Sequence, residues 1–194
     1  MLRADTADGL LGADAREMSA DTAPATTADV RSVEAARRGD REAAERLYER
    51  YAPMVHGLLL ARTRRDDVRD LVQDVFLIAY TKLPGLRDAQ AFPAWLATIA
   101  RNRALDHLRA SRETEELSEE LVAHDETENE VAEILGIIRC LPEAYRETLV
   151  LRLVEGMTGP EIAARTGLRS ESVRVNLHRG MKLLRERLEA GGWA

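Results

Sequence analysis

Cysteine is almost missing from this chain: Cys140 is the single one among 194 residues. No disulfide can form within it, which excludes the small secreted scaffolds that depend on them and fits a reducing cytosol. Between Ile137, Ile138 and Leu141, Cys140 is expected to be a buried structural thiol. Aromatic residues make up only 4% of the sequence, and runs of alternating β-branched residues are absent. Nothing therefore asks for a sheet, and the dominance of Ala, Leu, Arg and Glu predicts a nearly all-helical fold. No stretch approaches the roughly 18 consecutive apolar residues of a membrane helix, and the N-terminus lacks the basic start and apolar run of a signal peptide. A cytoplasmic protein is expected, with no membrane segment of its own. HExxH, a P-loop, Cys-x-x-Cys and a nucleophile elbow are all missing, and His56, His107, His124 and His178 have no metal-ligand spacing. The expectation is a non-enzyme with neither metal nor cofactor.

The formal net charge of -6 argues at first against a nucleic-acid partner, but the charges are unevenly placed. Residues 31–110 carry 15 bases against 11 acids and residues 136–194 carry 10 against 7, whereas residues 111–135 carry 1 base against 10 acids. Two mildly basic blocks are thus separated by an acidic connector, and the overall balance hides any DNA-facing surface. The predicted organisation is an acidic disordered tail over 1–29, a compact bundle of about four helices over 30–111, a flexible, self-repelling acidic linker over 112–133, and a second helical domain over 134–190. Within the first bundle, Gly39–Asp40, Pro53 and Pro84–Gly85 are read as breaks.

The segment TGPEIAARTGLRSESVRVNLHRGMKLLRER, from Thr158, reads as two helices around a tight turn. Thr158 and Glu161 have the spacing of a capping box, and Pro160 is tolerated in a first turn. Gly167 stands four residues after Ala163, where a chain leaving a helix in the left-handed conformation needs no Cβ, and Ser170 is placed to cap the next helix. Ile162, Leu168, Val173, Leu177 and Leu184 can pack the pair, leaving Arg174, His178, Arg179 and Lys182 outward. That is the layout of a helix-turn-helix with its recognition helix in the major groove; an amphipathic hairpin with a solvated basic face is the alternative.

Upstream, DDVRDLVQDVFLIAYTKL, from Asp66, places Val68, Leu71, Val72, Val75, Phe76, Ala79 and Leu83 on one helical stripe and Asp70, Gln73 and Asp74 on the other face. Spacing alone gives a core helix with a solvated side. However, DLVQDVF followed by a Pro-Gly turn and FPAWLATIARNRALDHLR resembles the core domain of bacterial sigma factors, and LPEAYRETLVLRLVEGMTGPEIAARTGL with VRVNLHRGMKLLRERL resembles their C-terminal domain. The likeness covers roughly 33–112 and 133–189 and points to the small extracytoplasmic-function (ECF) class. It implies two all-α domains, sigma region 2 and the region 4 helix-turn-helix.

The resemblance also implies partners and sites: core RNA polymerase, through its β' clamp helices and β flap, promoter DNA, and an anti-sigma factor. Polymerase contacts would come from Arg69, Asp70, Gln73, Asp74 and Leu77. The minus-ten element would be read and melted by a loop at about 85–91 and by Arg101, Asn102, Arg103, His107 and Arg109, with Trp95 as a stacking platform. Trp95 also shares helical spacing with Phe92, Leu96, Ile99 and Leu105, which suits a core residue; His107 is either surface filler or a backbone contact, and Asp106 suits a neighbouring Arg better than DNA. Minus-thirty-five contacts would come from Ser170, Glu171, Arg174, Val175, Asn176, His178, Arg179 and Lys182, with Arg165 and Arg169 clamping phosphates. Where many members carry Ser-Arg, this chain has Val175–Asn176; Val can touch a thymine methyl and Asn can read adenine. A helix-turn-helix regulator that never docks on polymerase is the alternative reading.

Overall fold

The computed structural model describes residues 26–117 and 130–191, and every regular element among them is helical. The elements in chain order are α1 (Thr27–Arg37), α2 (Arg41–Leu60), α3 (Arg65–Lys82), two 3₁₀ turns at Leu83–Gly85 and Ala89–Ala91, α4 (Phe92–Leu117), α5 (Glu130–Arg139), α6 (Glu143–Leu153), α7 (Gly159–Thr166) and α8 (Ser170–Ala190). The first four helices pack largely on one another, and so do the last four. Most of the expected tail, and 118–129 of the expected linker, lie outside the described residues.

Helix α1 opens at Thr27, three residues before the expected start of the helical pattern. Its cause is local: Thr26 and Asp29 form a capping box, and the Asp29 carboxylate also accepts from Arg50 Nε at 2.7 Å. Asp29 is buried, so the cap ties α1 to α2. Beyond it, Gly39 turns the chain at φ 89° and Asp40 caps α2 by accepting from the Ala43 N–H at 3.0 Å. Pro53 does not break α2, contrary to expectation. It lies on an exposed face, where water can serve the backbone carbonyl its missing N–H leaves free. The bundle core is built from Leu47, Tyr51, Met54, Leu58, Val75, Phe76, Phe92 and Leu96, all 3% exposed or less. Tyr51 meets Phe92 edge-on at 5.4 Å. Leu105, expected in the core, is 41% exposed, because Ala104 takes the inward position.

The C-terminal half matches its sequence cues closely. The Thr158–Glu161 capping box is present on α7, and Gly167 ends that helix in the left-handed conformation at φ 78°. Ser170 is the first residue of α8 rather than its cap; Arg169 occupies the cap position, with no side-chain cap bond. Cys140 is exposed, which corrects the expected buried thiol: it follows the last turn of α5, where Ile138 and Leu141 take the inward positions. Gly180 brings α8 hard against α6, since a Cβ there would lie 3.1 Å from both Tyr145 Cβ and Leu149 Cδ1.

The sequence reading missed that the two halves pack on each other. Leu149, Val150 and Leu151 are consecutive, point about 100° apart around α6, and are all fully buried. One side of α6 lies on α8. The other presents Leu151 to α2 at Gly57, where a Cβ would come within 2.7 Å of Leu151 Cδ2.

Candidate nucleic-acid interface

Helix α8 carries the clearest surface. Val173, Gly180 and Leu184 are buried on its inner side, and Leu177 packs against the same core. Glu171, Arg174, Val175, His178, Arg179 and Lys182 are all exposed, and their spacing of three and four residues aligns them in one row. Ser170 and Arg169 are exposed at its start, while Asn176 is half-buried at the edge of the row. Lys182 reaches Glu186 at 3.9 Å, both side chains largely exposed, a contact worth little in solvent. The α7 cap, the Gly167 turn and the α8 row are the parts a major-groove reader needs.

In the N-terminal half, Arg69, Asp70 and Gln73 are exposed on α3, and Leu77 is 69% exposed. An exposed Leu on an otherwise amphipathic helix is an unused apolar contact. Asp74 is different: it is half-buried and accepts from Arg103 Nη2 at 2.6 Å and Nε at 3.1 Å. The structure thus joins two residues that the family resemblance assigns to separate surfaces. His107 Nε2 similarly lies 3.1 Å from Asp67. Asp106 faces Arg109 at 3.4 Å, the pairing expected for it.

Arg101, expected to track DNA, is occupied by the other half of the molecule. It donates through Nε and Nη2 to the Glu147 carboxylate at 2.8 and 3.0 Å, and through Nη2 to the Thr166 carbonyl at 3.3 Å. Arg62 Nη1 lies 2.6 Å from the same carboxylate. Burial pushes the Glu147 carboxyl up, but the two guanidiniums outweigh that and hold it below the usual carboxylate range. Trp95 is half-buried against the core, its ring 5.9 Å from Phe92. Asn102 is exposed on α4. The loop before α4 is pinned by Leu86 and Ala89, 9% and 7% exposed, and by Asp88 accepting from the Gln90 N–H at 2.8 Å. Arg87, Asp88 and Gln90 face solvent there.

These two surfaces match known families in the same order. Residues 47–114 match the Sigma-70 region 2 family, and residues 131–184 match the Sigma-70, region 4 family. RNA polymerase sigma factor CarQ of Myxococcus xanthus is 34% identical over 78% of this chain and 92% of its own length. The chain is an RNA polymerase sigma factor of the sigma-70 family. This sigma factor is also 32% identical to the ECF RNA polymerase sigma factor SigD of Mycobacterium tuberculosis, over 79% of this chain and 81% of that one. The solved structure of CnrH in complex with the cytosolic domain of CnrY is similar at a TM-score of 0.58 and 29% identity, covering 84% of this chain and 98% of CnrH. The sigma factor RpoE of Bartonella quintana, solved with the anti-sigma factor NepR, shares the fold at a TM-score of 0.53 and 20% identity, over 75% and 96% of the two chains. Membership in the ECF class makes this sigma factor a transcription initiation factor and not an enzyme. No helix among the described residues is long and apolar enough to cross a membrane.

Proposed function

We propose that this sigma factor docks on the clamp helices of the polymerase largest subunit through Arg69, Asp70, Gln73 and Leu77, with Asp74 at the border of that surface. Short acidic and amide side chains on a rigid helix suit a basic coiled coil, where such charges set orientation and on-rate. The β flap meets the C-terminal half. Asn102, Arg103, His107 and Arg109 on α4, with Arg101 once released from Glu147, follow the opened strand at the minus-ten element. Cations track its phosphates and Asn reads a base edge. On α8, Arg174, Val175, Asn176 and His178 read the minus-thirty-five bases; Arg169, Ser170, Glu171, Arg179 and Lys182 complete the contact, with Arg165 on the phosphates. An anti-sigma protein is the expected regulator, and the cytoplasm the place of action.

The observation that supports this reading best is the solvent-facing row of α8 on a helix whose opposite side packs on the core. Run-off transcription with core polymerase and a genomic fragment library tests it. Transcripts that depend on the added protein and share a two-part upstream sequence are expected; their absence refutes the assignment.

A further inference from the structure

Arg37 is the last residue of α1, and its half-buried side chain reaches the segment that joins α3 to α4. Its Nε donates to the Leu83 carbonyl at 3.4 Å, and the Leu86 N–H donates to the same oxygen at 3.1 Å. That carbonyl stands where the chain leaves α3 for the 85–91 loop. Helix α1 also packs on the far end of the loop at Ala89–Ala91, so one helix holds both of the loop's feet. Between them Arg87, Asp88 and Gln90 face solvent. Arg37 Nη2, on the same guanidinium, is buried and has no hydrogen-bond partner within the chain. A buried donor left unserved opposes folding, whereas an apolar side chain of similar length carries no such penalty. An arginine kept only to fasten α1 gains nothing from this N–H, and an orphan of this kind marks strain held for function.

We propose that Arg37 is a positioning residue for the minus-ten strand: its Nε fixes the root of the 85–91 loop, and its spare Nη2 takes up a carbonyl of that loop when an unstacked base presses the loop inward. The inference rests on the loop's reading of the minus-ten element. Arg37 itself touches no DNA. The added hydrogen bond forms only with the strand in place, so it favours the loaded loop over the empty one by its full differential strength. A base that fits poorly leaves Nη2 unserved, and the preference for the fitting base is enlarged by that cost.

Holoenzyme made from the full chain and core polymerase tests this by selection from a single-stranded 12-mer with every position randomised. Wild type should return a base preference at several positions. Arg37→Met, which keeps the apolar stem and removes the donors, should lose on the order of ten-fold of that preference at one or two adjacent positions and keep the rest. Its urea midpoint should equal or exceed that of wild type. Arg37→Lys, which keeps the charge and can still serve the Leu83 carbonyl, should recover only part of the loss; full recovery overturns the reserved donor. An unchanged preference in Arg37→Met, or an even loss at all positions with a lower midpoint, makes Arg37 a structural tie and overturns the proposal. A wild-type holoenzyme with no preference at any position refutes the assignment of the loop to the minus-ten element, and the inference falls with it.

Discussion

Gly180 stands in the interior of α8, where glycine costs about 1 kcal/mol of helix stability relative to alanine. Replacing it by alanine would ordinarily stabilise the chain by that amount. Here the new Cβ would lie 3.1 Å from Tyr145 Cβ, 3.1 Å from Leu149 Cδ1 and 3.2 Å from Leu149 Cγ. Leu149 is fully buried, and Tyr145 Cβ moves only with the α6 backbone. Overpacking of this kind costs about 1–3 kcal/mol, so the net effect of Gly180→Ala should be a loss of roughly 1 kcal/mol. Gly180→Val adds two methyl groups and a β-branched penalty, and should lose about 3 kcal/mol. Urea unfolding of the full chain measures both. Because α8 must tilt off α6 to relieve the clash, the variants should also weaken minus-thirty-five binding by the holoenzyme without touching a DNA contact. A Gly180→Ala protein about 1 kcal/mol more stable than wild type would refute the close packing of α6 and α8.

The triple variant Asp70→Ala, Gln73→Ala, Leu77→Ala should lose core polymerase binding in size-exclusion chromatography while its far-ultraviolet circular dichroism stays unchanged, since all three are exposed and alanine favours helix; retained holoenzyme assembly would place the docking surface elsewhere. Arg174→Ala should cost about 1–3 kcal/mol of promoter binding and relax preference at one or two base pairs; binding-site selection that returns an unchanged sequence preference with uniformly weaker binding would make it a phosphate contact. Because the folded Glu147 carboxyl is held below its ordinary value of 4.5, its ion-pair contribution is fully present above that value and is lost as pH falls through the lower folded one. The stability gap between wild type and Glu147→Gln should therefore be constant near neutrality and shrink in acid, as read from urea midpoints over a pH series; a gap that widens in acid would contradict the pairing.

The helix-turn-helix was legible because its signals are local. A capping box needs only Thr158 and Glu161 at the right spacing, and a left-handed turn needs only a glycine, Gly167. The α3 stripe was legible for the same reason: Val68, Leu71, Val72, Val75, Phe76 and Ala79 recur at helical period and are all buried. What spacing could not give is the partner across the molecule. Arg101 and Glu147 are 46 residues apart, and nothing near either one in sequence announces the other. One cue was available in Thr-Leu-Val-Leu of α6, a run with no polar face in the middle of a helix, which calls for cover on all sides. An acid at Glu147 on that same helix calls for a buried cation. Pro53 was misread from residue type and Cys140 from its apolar neighbours, because whether a proline or a thiol faces solvent depends on the register of the helix beneath it.

The burial of Leu149, Val150 and Leu151 on different sides of one helix bears on how the chain can be divided. A C-terminal fragment beginning near Glu130 would keep α8 against α6 but would turn Leu151 to water, surrendering about 1.5–3 kcal/mol for that side chain. An N-terminal fragment ending near Leu117 would lose the cover over Gly57 and leave Arg62, 7% exposed in the whole molecule, without its acids. Melting of one half therefore removes support from the other, and the chain should unfold with shared cooperativity although its two family domains are separate in sequence. Fragments cut between them inherit a sticky seam on each piece, and co-expression of the two pieces is the natural way to keep both soluble.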